Sequence, residues 1–178
     1  MSKLFIVSSV SGAGKTTLVD NALSIYDLYK LKTCTTRAIR PEETGNEYFF
    51  LSKYEYDFYL EKNAFFENAK VYGNYYGLLK SELDKSNSKN CIAILDVQGA
   101  ATAKKLYPDA ITIFIEPPSL DELEIRISSR NTSSDDMKLR MSKIEEELSH
   151  KSEFIYTVKY DKNENMITKF NNIIEYNL

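Results

Sequence analysis

The stretch Ser9-Val10-Ser11-Gly12-Ala13-Gly14-Lys15-Thr16-Thr17 follows directly on the apolar run Leu4-Phe5-Ile6-Val7 and leads into a helix-favouring segment reaching Ile25. Small residues between a strand and a helix let backbone N–H groups curl around phosphate oxygens, and the helix N-terminus adds its positive dipole end. Ser9, Ser11, Gly12, Ala13, Gly14, Lys15, Thr16 and Thr17 are the expected binding positions for a nucleoside triphosphate. Lys15 would supply the point charge for the β- and γ-phosphates, and the Thr16 hydroxyl a ligand for Mg²⁺. Ser9 stands where such loops usually begin with glycine, and keeps that position small.

Working outward, two further apolar runs read as strands, Cys91-Ile92-Ala93-Ile94-Leu95 and Ala110-Ile111-Thr112-Ile113-Phe114-Ile115. Like the first, they lack polar alternation, as parallel strands covered on both faces do. Pro117-Pro118 stops the third. Helices are expected over Gly14 to Ile25, over Ala100 to Leu106, from Ser119 (where Ser119 and Glu122 form a capping box), over Met137 to Lys151, and over Asn165 to Tyr176. Strand and helix alternate, so the expected fold class is α/β, a parallel sheet flanked by helices. The second metal ligand should be an acid at the end of another core strand. Asp96, following Leu95, is the candidate; the alternative is that it only caps the next helix.

With 178 residues, 43% hydrophobic and 28% charged, the chain reads as one globular domain with a sizeable core. A net charge of −3 gives no basic field for nucleic acid or for an anionic membrane. No apolar run approaches membrane-span length, and the N-terminal run lacks the pattern of a signal peptide, so a cytoplasmic protein is expected. Cys34 and Cys91 have no metal-ligand spacing and read as reduced, buried thiols. His150, the one histidine, lies near Glu147 and Glu153 and reads as structural.

Between Thr33 and Lys89 the composition changes. Aromatic pairs (Tyr48-Phe49-Phe50, Phe65-Phe66) and turn signals (Thr44-Gly45-Asn46, Tyr72-Gly73-Asn74) suggest a small α+β insertion. Arg37 and Arg40, three apart, could clamp a phosphate with forked donors or be solvated surface charge. Tyr48 and Tyr76 offer phenolic donors. Glu67 could accept from N1–H and N2–H₂ of guanine, which adenine does not present, or be an exposed glutamate.

The chain resembles the guanylate kinase family over nearly its whole length. The resemblance rests on Ser11-Gly12-Ala13-Gly14-Lys15-Thr16, Thr35-Thr36-Arg37-x-x-Arg40-Pro41-x-Glu43, Glu47-Tyr48-Phe49-Phe50, Phe66-Glu67-x-Ala69, Gly73-Asn74-Tyr75-Tyr76-Gly77, Asp96-x-Gln98-Gly99 and Pro117-Pro118-Ser119. It implies a P-loop NTPase fold with an inserted nucleotide-binding subdomain and a lid: core 1–32, 90–125 and 144–178, subdomain 33–89, lid 126–143. The implied activity is transfer of the ATP γ-phosphate to GMP or dGMP, with Mg²⁺. The implied acceptor site is Thr33, Arg37, Arg40, Glu43, Tyr48, Glu67 and Tyr76. Lys15 and Arg37 with the lid arginines Arg126, Arg130 and Arg140 would carry the transferring charge. A monomer or a homodimer is expected, with no nucleic-acid or membrane partner.

Beyond Ser9, three positions and one segment depart from the family pattern. Leu78 replaces a serine or threonine whose hydroxyl reaches the guanine O6, so a serine at 78 is expected to tighten GMP binding. Ile94 replaces an acid of the nucleotide pocket. Asn131 replaces a lid glycine, and Lys159-Tyr160-Asp161 replaces the segment that contacts the donor adenine. Leu78 and Ile94 keep open a different or modified nucleoside monophosphate as acceptor. A non-catalytic binding module of the same fold is disfavoured by the intact Gly14-Lys15-Thr16.

Overall fold

The structure, a computed structural model, describes residues 2–10, 12–41, 43–117, 119–128, 134–160 and 165–178, with the backbone alone at 120, 126–128 and 134–140. Its centre is β1 (Leu4–Ser9), buried along its whole length. Phe5 and Val7 face one side and pack with Leu18, Val19 and Ala22 of α1 (Lys15–Ile25) and with Phe170 and Ile174 of α7 (Met166–Asn177). Leu4 and Ile6 face the other and pack with Ala100 and Ala103 of α4 (Val97–Leu106). This period-2 division explains why the run is apolar without alternation: both faces are core.

β1 pairs in parallel with β7 (Cys91–Ile94) on one edge and with β8 (Ile111–Ile115) on the other. β2 (Tyr29–Lys30) and β9 (Tyr156–Val158) complete a five-stranded sheet of order β2-β7-β1-β8-β9. Because the strands following β1 lie on opposite sides of it, a crevice opens at its carboxyl end, where parallel α/β sheets bind ligands. α5 (Leu120–Ser128) and α6 (Ser134–Ser149) follow β8.

The segment between β2 and β7 builds a second, four-stranded sheet, β4 (Phe49–Phe50), β3 (Cys34–Thr35), β6 (Asn74–Leu79), β5 (Phe65–Val71), in that spatial order. β5 and β6 form a hairpin closed by Tyr72 and Gly73, both with positive φ (48° and 80°), as a two-residue I′ turn requires. α2 (Lys53–Glu61) starts at a capping box, with Ser52 Oγ accepting from the Glu55 N–H and the Glu55 carboxylate accepting from the Ser52 N–H. α3 (Lys80–Leu83) leads back toward β7.

Several boundaries differ from the sequence expectation. α4 begins at Val97 rather than Ala100, because Asp96 caps it. α6 begins at Ser134, three residues before the expected Met137, and ends at Ser149, short of Lys151. The strands β2 and β9 and the helices α2 and α3 were not anticipated. Cys34 and Cys91 are buried and unpaired, and burial, reinforced by Glu82 and Glu67, pushes the Cys34 thiol up to about 12. Among the described residues no helix is long and apolar enough to cross a membrane.

Candidate active site

The loop after β1 is built by its glycines. Gly12 (φ 85°) and Gly14 (φ 90°) lie in the left-handed region that disfavours side chains. Gly14 is also the N-cap of α1 and offers no side-chain acceptor to the first turn of the helix, whose positive dipole end faces the loop. Ser9 ends β1 at 4% exposure. Its hydroxyl donates to Val10 O (2.7 Å), and Lys15 Nζ donates to Ser9 Oγ (2.7 Å) and to the carbonyls of Ser9 (3.2 Å) and Val10 (3.4 Å). The lysine thus lies folded into its own loop, held partly by the residue that replaces the usual glycine.

This loop forms one end of a cleft of about 280 Å³. Ser9 and Gly12 to Thr17 line it, and so do Thr33, Arg37, Arg40, Tyr48, Glu67 and Tyr76 from the second sheet, and Ile94 and Asp96 from the end of β7. Residues from four separate stretches of sequence therefore converge on one space. Ser11 and Arg130 lie outside the described residues, as do the side chains of Arg126 in α5 and Arg140 in α6.

Arg37 is held rigidly. Its Nη1 donates to Glu43 Oε2 (3.0 Å) and Ala38 O (2.6 Å), and its Nη2 to Glu43 Oε1 (2.6 Å). Glu43 Oε2 also accepts from the Arg40 N–H (2.7 Å). Burial pushes the Glu43 carboxyl up, but the hydrogen bonds from Arg37 and Arg40 outweigh it and hold the group below its ordinary value. The guanidinium lies over the rings of Tyr48 (5.6 Å) and Phe50 (5.8 Å). Three of its five N–H donors are taken by these bonds, and the others remain for a ligand. Glu43 is absent from the cleft lining and serves Arg37 from behind. Tyr48 and Tyr76 meet edge to face at 6.2 Å, and burial raises the Tyr48 hydroxyl above its ordinary value, keeping it a donor.

Glu67 is not an exposed glutamate: it is 3% exposed, on β5. Its Oε2 has no hydrogen-bond partner among the described residues. Burial and the neighbouring Asp96 push its carboxyl up to about 8, against the pull of the Leu78 backbone N–H. Asp96 caps α4, its Oδ1 accepting from the N–H groups of Gln98 (2.9 Å) and Gly99 (3.1 Å). Asp96 therefore does cap the helix, and it also lines the cleft.

Leu78 is 1% exposed and packs with Leu4, Ile6 and Leu31 under the second sheet, not in the cleft wall. Ile94 does line the cleft. Tyr160 is exposed and Asp161 lies outside the described residues. His150 contacts Glu153 through Nδ1 (2.6 Å). Tyr72, Asn74 and Glu147 also line the cleft and had no predicted role; Tyr72 donates to Glu147 Oε1 (2.8 Å), joining the β5–β6 turn to α6.

A phosphate loop between a central parallel strand and its helix defines a P-loop NTPase fold. The guanylate kinase family profile matches residues 1–177. The guanylate kinase of Hydrogenovibrio crunogenus is 42% identical over 160 residues, covering 87% of this chain and 78% of that protein. That of Shewanella denitrificans is 39% identical over 177 residues, covering 96% and 86%. The crystal structure of guanylate kinase from Anaplasma phagocytophilum superposes with a TM-score of 0.78 at 26% identity, covering 98% of this chain and 85% of that one. The chain belongs to the guanylate kinase family.

Proposed function

We propose that this protein transfers the γ-phosphate of ATP to GMP or dGMP, giving ADP and GDP or dGDP, in the cytoplasm. The observation that carries this reading is the single cleft holding a phosphate loop at one end and, in its other wall, a paired-arginine clamp beside a buried, unsatisfied carboxylate. The loop and Lys15 take the donor phosphates. Arg37 and Arg40, with Tyr48 and Tyr76, take the acceptor's phosphate, and Thr33 and Glu67 read its base. On binding, Glu67 gives up the proton that the ligand-free protein holds up to about pH 8, and its carboxylate accepts from N1–H and N2–H₂ of guanine.

The acceptor oxygen is already anionic, so no strong general base is needed and the work is positioning and electrostatic stabilisation. Arg126, Arg130 and Arg140 are assigned to neutralise the equatorial oxygens of the transferring group. The donor set suits Mg²⁺: a hydroxyl at Thr16 and a carboxylate at Asp96, with no cluster of three His, Cys, Asp or Glu among the described residues that would form an all-protein cage. When bound, the ion neutralises charge on the β- and γ-phosphates.

A coupled kinase assay across nucleoside monophosphates tests the reading. GMP and dGMP should exceed AMP in kcat/KM by orders of magnitude; equal rates would refute the guanine assignment.

A further inference from the structure

We propose that Gly99 is a positioning residue for base recognition: the space left by its missing side chain is the seat of the Glu67 carboxylate. The inference rests on the reading of Glu67 as the group that binds guanine. Gly99 lies in the first turn of α4, and its φ is not in the left-handed region, so backbone conformation does not demand glycine there. Helix propensity would favour alanine. What demands glycine is space. A Cβ built at Gly99 would fall closer than 3.0 Å to Glu67 Oε2, and lie 3.2 Å from Glu67 Cδ and 3.1 Å from Asp96 Oδ2.

The surroundings decide what would yield. The turn carrying Gly99 is fixed by Asp96 Oδ1, which accepts the Gly99 N–H at 3.1 Å. Glu67 reaches this spot from β5, in the other sheet, and the atom that meets the space is the same Oε2 that has no partner among the described residues. A buried acceptor without a donor calls for an explanation, and a ligand N–H is the one the cleft offers. A methyl group at 99 would displace the end of this flexible side chain before it moved helix backbone. The displaced carboxylate would lose its paired alignment with N1–H and N2–H₂, while the phosphate loop stayed untouched.

The test compares wild type, Gly99→Ala, Glu67→Ala and the double variant Gly99→Ala/Glu67→Asp, with GMP and with IMP, which lacks the N2 amine. Gly99→Ala is expected to raise KM for GMP about tenfold, one hydrogen-bonding interaction's worth. KM for ATP should stay unchanged, and the GMP:IMP preference should fall toward that of Glu67→Ala. The melting temperature should not fall, which separates displacement of Glu67 from general damage. In the double variant the shorter acid retracts from the added methyl, and part of the GMP:IMP preference should return. If Gly99→Ala keeps the wild-type preference while Glu67→Ala loses it, the role of Gly99 is refuted and the base reading stands. If Glu67→Ala itself keeps the preference, the base reading falls, and this inference with it. A double variant no better than Gly99→Ala also overturns the seat.

Discussion

Lys15 and Ser9 show how a single side chain can alter a familiar loop. The Lys15 ammonium rests on three oxygens, one of them a hydroxyl that a glycine at position 9 would not provide. Lys15→Ala removes the charge proposed to serve the transferred phosphate and should lower kcat by about 10³-fold with any acceptor. Ser9→Ala removes one charge-assisted hydrogen bond but leaves the ammonium in place, and should lower kcat by about tenfold, about 1.4 kcal/mol. Steady-state assays of both variants measure the difference, and a Ser9→Ala loss as large as that of Lys15→Ala would contradict this ranking. Glu67 carries a second prediction. Its folded-state value of about 8 lies above the ordinary 4.5, so the native form holds the proton more tightly than the unfolded chain. The stabilisation from that proton is complete below the unfolded value and is lost as pH rises from about 4.5 through 8. Thermal melts of the ligand-free protein should therefore decline over this range, and Glu67→Gln should flatten the decline. An identical pH profile in the two proteins would remove burial of an ionisable group at 67 as the cause.

Strands and helices were legible in proportion to how much local pattern they carry. β1, β7 and β8 are continuous apolar runs because both faces of the sheet are covered. β2 and β9 are edge strands of two and three residues, too short to show a period. α2 does announce itself through Ser52 and Glu55, but the signal sits in a run of aromatics that reads equally well as short strands. The capping box gives it a measurable cost: Ser52→Ala should lower stability by about 1 kcal/mol in urea melts, with kcat unchanged. Leu78 shows what the chain alone concealed. A serine there was expected to reach the acceptor base. The residue instead lies in the packed layer between β6 and the core sheet, so Leu78→Ser should destabilise by about 2–4 kcal/mol and leave KM for GMP no lower. A tighter KM with unchanged stability would place the side chain in the pocket after all.

At the scale of the whole molecule, the site is the gap between two sheets. The phosphate loop was legible because all of its parts are contiguous in sequence. The acceptor wall emerged from motif resemblance, because Arg37, Glu67 and Tyr76 come together only when the second sheet folds. Tyr72 was legible only as part of a turn signal, Gly99 only as the end of a motif and Glu147 only as a neighbour of His150, since each meets a residue distant in the chain. The Tyr72–Glu147 hydrogen bond bridges the two sides of the cleft. Tyr72→Phe should loosen that bridge and raise KM for the acceptor severalfold, about 1 kcal/mol, while KM for ATP stays constant. Equal changes in both constants would assign Tyr72 to general stability.

The central placement of β1 also governs how the molecule is made. Leu4 pairs with Cys91, and Phe5 with Ile111. β1 is made before either of its neighbours and waits longer for a partner than any other strand of this sheet. At ordinary translation speeds the 87-residue interval between Leu4 and Cys91 takes roughly 4 to 17 s to synthesise. Throughout that time the apolar residues Leu4 to Val7 of β1 have no strand edge to pair with. Nascent chains of this protein are therefore natural clients for holding chaperones, and slowing elongation before Cys91 should increase the fraction lost to aggregation.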